Sequence, residues 1–173
     1  MQLKPHPMTP GPEIDVSVTV QRHGFDGLNL VYRMTGDIAA VRRPASAEFE
    51  RADELWKTTC FEAFIGGTET QGYIELNLSP SSQWAAYAFV GERQGMRPAV
   101  VDDTAISVMP DRFELWAVFG GLRPRDLGRG LPWRLGLSAV IQAVDGSISY
   151  WAVTHPGDKP DFHHPASRVL ELP

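Results

Sequence analysis

The sequence predicts an all-β protein, a two-sheet antiparallel β-sandwich of the jelly-roll or immunoglobulin-like kind. Three observations carry this. Apolar and polar residues alternate in run after run, as they do in strands with one buried face. The 16 glycines and 14 prolines fall largely between the runs and supply turns. The runs number about ten, without repeats or linkers, which suits two packed sheets. With 173 residues and a 43% hydrophobic fraction, the chain can bury one sizeable core.

Residues 1–12 hold four prolines and little periodicity, so they are expected to be a flexible arm before a single domain at 13–173. Ile14 to Val20 alternates Ile14, Val16, Val18 and Val20 against Asp15, Ser17 and Thr19. Leu28 to Met34 repeats the pattern, Thr35-Gly36-Asp37 marks a tight turn, and Ile38 to Val41 returns as a short strand. Ser46 to Leu55 is the one stretch of the first half that could be helical, with Ser46 as its cap. Three runs then follow closely: Cys60 to Ile65, Tyr73 to Ser79 and Trp84 to Val90. Ala105 to Met109 and Arg112 to Phe119 form a hairpin across Pro110-Asp111, with Phe113, Leu115, Ala117 and Phe119 facing inward. A turn-rich connection covers Gly120 to Pro132. Trp133 to Val144 is a long strand with Leu135, Leu137, Ala139 and Ile141 on one face. Asp145-Gly146 is a hairpin turn that returns Ile148 to Thr154, and Val169 to Leu172 is a possible last strand.

Composition excludes several function classes. A net charge of -5 provides no broad basic footprint, so no nucleic-acid partner is expected. No apolar run approaches membrane-spanning length, so no membrane partner is expected either. The opening MQLKPHPMTPGPEID lacks the apolar segment of a signal peptide, which makes a cytoplasmic location the expectation. The single cysteine, Cys60, lies inside an alternating run and reads as a small buried strand residue. The glycines do not match a phosphate-binding pattern, and neither a nucleophile elbow nor a triad order is present.

The three central runs carry the chemistry. Cys60, Glu62 and Phe64 share one face of the first, and Tyr73, Glu75 and Asn77 share one face of the second. Paired as antiparallel neighbours, they set carboxylates, an amide and aromatic rings side by side on the open face of the sheet. That combination suits a ligand surface. Glu62 and Glu75 could be read as a hydrolytic pair, but two glutamates on one sheet face more commonly hold a ligand, so no catalysis is expected.

LWKTTCFEAF, YIELNLSPSSQWAAY, ERQGM and YWAVTHPGDKPDFHH together resemble the bacterial DOMON-like ligand-binding proteins, relatives of the family-nine carbohydrate-binding modules. The match covers Leu55 to Met96 and Tyr150 to His164 and follows only the pattern between them. The resemblance implies a sandwich with a concave face that holds a small ligand, in the wider superfamily a sugar or a haem. It also places Glu62 where the sugar-binding relatives carry a hydroxyl-binding carboxylate.

A sugar site needs a flat ring against the apolar side of a pyranose and polar groups around its hydroxyls. Trp56, Trp84 and Trp151 are the candidate platforms. Glu62, Asn77, Arg93 and Gln142 are the candidate edge partners, with His155 beside them. The expected function is binding of a small molecule, most simply a sugar or sugar derivative, without a cofactor; no protein partner is indicated. Two alternatives stand: a haem domain using Met96 with His155 or His163, and a purely structural or interaction domain. His155, Asp158, Asp161, His163 and His164 also suggest zinc. Adjacent histidines on an extended chain point opposite ways, however, and Pro156, Pro160, Pro165 and Pro173 mark turns. The expectation is therefore no metal, with the segment folded over one edge of the sandwich, Phe162 inserted and His155 hydrogen-bonded.

Overall fold

The computed structural model describes residues 1–24, 26–68, 70–109, 113–122 and 132–173. Twelve strands are present among them: β1 (Gln2–Pro5), β2 (Ile14–His23), β3 (Gly27–Gly36), β4 (Cys60–Gly66), β5 (Tyr73–Leu78), β6 (Trp84–Phe89), β7 (Arg97–Pro98), β8 (Asp103–Met109), β9 (Glu114–Gly120), β10 (Trp133–Gln142), β11 (Ile148–Ala152) and β12 (Leu170–Leu172). The hydrogen-bonded order is β7-β6-β5-β4-β10-β11-β1-β2-β3-β9-β8, with β12 beside the start of β10. All the pairings between strands are antiparallel.

This path folds back on itself as two layers around one core. β2, β3 and β9 contribute Val16, Val18, Leu30, Tyr32, Leu115 and Phe119, while β4, β5 and β10 contribute Phe61, Ile65, Leu76 and Leu137. The layers meet where the Tyr32 ring stacks on Phe61, centroids 4.7 Å apart, and the Tyr32 hydroxyl donates to the Glu62 carbonyl at 2.6 Å. That bond satisfies a phenol that would otherwise be orphaned in an apolar interior. The all-β expectation and the inward residues of β9 and β10 agree with this arrangement.

Four local expectations differ. Residues 1–12 are not simply an arm: β1 lies between β11 and β2 and joins the layers, and Leu3 is 2% exposed. Ser46 to Leu55 is not helical. It offers no apolar stripe, since Phe49 is half-exposed, and its backbone pairs instead with the loop before β6 and with Trp84, through Ala47 to Ser81 and Ala52 to Trp84. Only Leu55–Lys57 forms a 3-10 turn there. Ile38–Ala40 is also a 3-10 turn, and Val41 makes a single bridge to Ala143. Finally, the outward face of β4 and β5 is not open to solvent: every residue of both strands is buried. The hairpin tip at Pro110-Asp111 and most of the Gly120 to Pro132 connection lie outside the described residues.

The cover over that outward face comes from the C-terminal tail. Phe162 packs on Phe64 and Tyr150, with centroids 6.3 and 6.0 Å apart, and the His163 ring meets Phe64, Tyr73 and Phe89. A second apolar cluster results, built from Leu55, Phe64, Tyr73, Tyr87, Phe89, Val140 and Phe162. Gly136 permits the close approach. A Cβ there would lie 3.0 Å from the Ser167 carbonyl oxygen and 3.2 Å from its hydroxyl, in the 3-10 turn Pro165–Ser167.

Candidate functional site

Strand register builds the site in rows. One row runs Ala152, Ser138, Glu62, Asn77, Ala85 across β11, β10, β4, β5 and β6; the next runs Gly136, Phe64, Glu75, Tyr87. Because the side-chain period is two, all of these point to the same outer face. Glu62 and Glu75 are diagonal neighbours on it. The tail and the Trp56 turn leave a cavity of about 620 Å³ over them. Its lining is Trp56, Glu62, Phe64, Glu75, Phe89, Arg93, Met96, Val140, Tyr150, Lys159, Pro160, Phe162 and His163.

The floor is acidic and buried. Glu62 is 3% exposed and Glu75 is 5% exposed. The Ser138 hydroxyl donates to Glu62 at 3.4 Å, and the Asn77 amide donates to Glu75 at 2.7 Å. Burial, and then repulsion from Glu75, push the Glu62 carboxyl well above the usual carboxylate range against the pull of Ser138 and Arg93. Burial raises Glu75 as well, opposed by its bond from Asn77 and by the Arg93 charge. His163 sits with Nδ1 2.6 Å from the Tyr73 hydroxyl and Nε2 3.8 Å from Glu75. Burial first, then the Arg93 charge, lower it to about 4, so it is neutral at pH 7.

Arg93 stands at the mouth. Its backbone has φ 54, a left-handed conformation that costs an arginine roughly 1 kcal/mol or more. The turn holds it there: Val90 and Gln94 close a tight loop, and the Arg93 amide donates to the Tyr73 hydroxyl at 3.2 Å. The guanidinium pairs with Asp161 at 2.8 Å, and Asp161 also accepts the His163 amide at 3.1 Å. One arginine thus ties the β6–β7 loop to the tail above the cavity.

Of the eight residues expected from sequence, the structure brings Trp56, Glu62 and Arg93 to this cavity. Asn77 lies beneath it, fully buried, orienting Glu75. Trp84 and Trp151 point the other way. Trp84 pairs with Leu78 and meets Phe119 edge-on across the core; Trp151 pairs with Ala139 and donates its indole N–H to Ser149. Neither ring can serve as a platform in this cavity. Gln142 lies at the far end of β10, outside the lining, where its backbone amide meets Thr59. His155 sits behind Phe162, bonded through Nε2 to the Lys4 carbonyl at 2.9 Å and stacked edge-on with His6. A two-residue turn at Asp145-Gly146 would set Trp151 opposite Val140 and outward. The loop instead spans Val144, Asp145 and Gly146, with the Ala143 amide donating to the Ser147 carbonyl, and that extra residue sets Trp151 opposite Ala139 and inward. Phe64, Glu75 and Phe89 carry the outward parity too. Tyr150 and Lys159 carry no local signal that would find them; Phe162 is inserted and His155 hydrogen-bonded, as expected from the turn-marked tail. No group of His, Cys, Asp and Glu among the described residues could hold a metal.

No family model and no curated protein matches the chain. Among solved structures, a proposed carbohydrate-binding protein from Bacteroides uniformis ATCC 8492 is similar at a TM-score of 0.57 and 15% identity, over 95% of this chain and 82% of that one. A family-nine carbohydrate-binding module from Caldicellulosiruptor kristjanssonii, in complex with glucose, is similar at a TM-score of 0.44 and 8% identity, over 90% of this chain and 77% of that one. The first likeness supports the sandwich fold; the second is too loose to bear on it.

Proposed function

We propose that this chain binds a carbohydrate or sugar derivative in the cavity over β4 and β5 and does not transform it. The observation that carries the reading is the cavity itself: about 620 Å³, walled by Trp56, Phe64, Phe89, Tyr150 and Phe162, with two carboxylates on its floor. Its size suits a small molecule. Flat rings complement the apolar side of a pyranose, and a carboxylate accepts from hydroxyls through charge-assisted bonds. The description of the Bacteroides uniformis relative as carbohydrate-binding points the same way, as does the DOMON-like resemblance of the central motifs and the tail. Glu62 and Glu75 share one floor on adjoining strands. A glycosidase instead sets its two carboxyls on either side of the scissile bond.

A haem fits less well. Met96 and His163 do line one cavity. The two ring nitrogens of His163, however, face Tyr73 and Glu75, and the buried carboxylates lie where the apolar porphyrin would sit.

A thermal-shift screen of mono- and disaccharides, followed by titration calorimetry on the best of them, tests the proposal. Trp56→Ala is expected to weaken binding tenfold or more. Glu62→Gln is expected to weaken it by roughly ten- to a hundredfold, since hydrogen bonds to a charged group contribute about 1.5–3 kcal/mol. If both variants fold and bind as the wild type does, the site lies elsewhere. If no sugar binds, the reading fails.

A further inference from the structure

The floor of the cavity holds two carboxyl groups, and among the described residues no Lys or Arg side chain is hydrogen-bonded to either. Their hydrogen-bond donors among the described residues are neutral, the Ser138 hydroxyl at 3.4 Å and the Asn77 amide at 2.7 Å. Three basic side chains line the cavity, and none of them hydrogen-bonds to the floor, although the Arg93 charge acts on both glutamates from the mouth. The Arg93 side chain is 58% exposed at the mouth and is engaged by Asp161. Lys159 is an exposed residue of the tail. His163 approaches Glu75 no closer than 3.8 Å and, lowered to about 4, is uncharged. Without a counter-charge, burial raises both carboxyls toward their neutral forms, and sugar hydroxyls would give them hydrogen bonds without the positive charge that would hold them ionised.

We propose that the ligand is an amino sugar with a free amine, its ammonium seated at Glu62 and Glu75 and its ring held by the aromatic wall. The inference rests on the sugar reading above and deepens it. An ammonium brings three donors and one positive charge, which matches two acceptor-rich groups on one floor. Phe64 stands directly across from Glu75 in the pairing of β4 and β5, and the wall also holds Trp56, Phe89 and Tyr150. Aromatic faces beside carboxylates favour a desolvated organic cation. A divalent metal ion fits less well, because it needs more oxygen ligands than this floor presents. The polarity of the cavity also sets the orientation. Arg93 and Lys159 at the mouth repel an amine there and accept hydroxyls or an anionic substituent. The amine end therefore enters first.

The test is titration calorimetry near pH 7 with glucosamine, galactosamine and mannosamine, each beside its parent hexose and its N-acetyl form. The expected result is at least one free amine bound tenfold or more tighter than its parent sugar, with N-acetylation removing the advantage. Glu62→Gln and Glu75→Gln, each checked for a native circular dichroism spectrum, should bring the amine-to-hydroxyl ratio close to one. Parent or N-acetyl sugars that bind as tightly as the amines would overturn the amine proposal and leave the sugar reading standing. An amine preference that persists in both glutamine variants would also overturn it, placing the ammonium elsewhere. Failure of every sugar to bind would overturn the sugar reading and this proposal together.

Discussion

Trp56 and Trp151 look alike in the sequence, yet one is half-buried on the cavity wall against Tyr87 and the other is 4% exposed in the core. Their substitutions should therefore separate. Trp151→Ala removes a packed ring and leaves a cavity behind it, which costs about 3–5 kcal/mol. Trp56→Ala removes a ring that packs on one side only, and it should cost less than half as much while weakening binding. Urea denaturation of both variants measures the contrast, and equal losses would place Trp56 in the core as well. Asn77 shows a third role. It touches no ligand space, but its amide orients Glu75, so its effect on binding passes through that carboxylate.

Two strand positions link local sequence to layer packing. β1 is short, yet it hydrogen-bonds to β11 on one side and β2 on the other, and Leu3 enters the core. Leu3→Ala should cost about 2–4 kcal/mol, a loss that a flexible arm would not produce. Gly136 acts on the opposite face, where a Cβ would press on Ser167 at 3.0 Å. That contact is to backbone, which cannot swing aside as a side chain can. Gly136→Val should therefore cost about 1–3 kcal/mol and lift the tail. The tail holds Phe162 and His163 over the cavity, so amide exchange at 162–168 should quicken and the proposed sugar binding should weaken together. Unchanged exchange there would mean that the tail is held without this close approach.

The balance of buried titrating groups is a property of the whole molecule. Glu62 and Glu75 have raised folded values, so their contribution is fully present below the ordinary glutamate value of 4.5 and is lost as pH rises through the raised ones. His163 is lowered from 6.5 to about 4, so its contribution is present above 6.5 and is lost as pH falls toward 4. The groups facing this centre are Tyr73, Arg93, Asp161 and Arg168, with Cys60 below Glu62. Between 4.5 and 6.5 the two kinds of group offset each other. Above 6.5 only the glutamate loss remains. The ligand-free protein should lose stability as pH rises above 6.5 toward the raised glutamate values, and Glu62→Gln should flatten that fall. Urea midpoints at pH 5.5, 6.5 and 8 for both proteins check this; parallel profiles would show that Glu62 does not carry the dependence.

Alternation along β2, β3, β5 and β10 is written residue by residue, so the sequence alone determined the sandwich class, the inward faces of β9 and β10 and the shared face of Glu62 and Glu75. It left the facing of Trp84 and Trp151 open, because one more residue in the loop at Asp145-Gly146 reverses the face that Trp151 takes. Extended segments without alternation were not legible. Residues 1–5 and 46–55 take their form from the partners they pair with, β2 and β11 for one and the edge of β6 for the other. The site was legible in Glu62, Trp56 and Arg93 and not in the rest of its walls. Glu62 is positioned by strand period, a local property. Tyr150 reaches the cavity through the β10–β11 pairing and Phe162 through a tail that folds back over β4. Arg93 is held by its link to Asp161, 68 residues away along the chain. Only the tertiary structure decided that the polar face would be a covered cavity, because the segments that bury it are brought there by long-range packing that no local periodicity records.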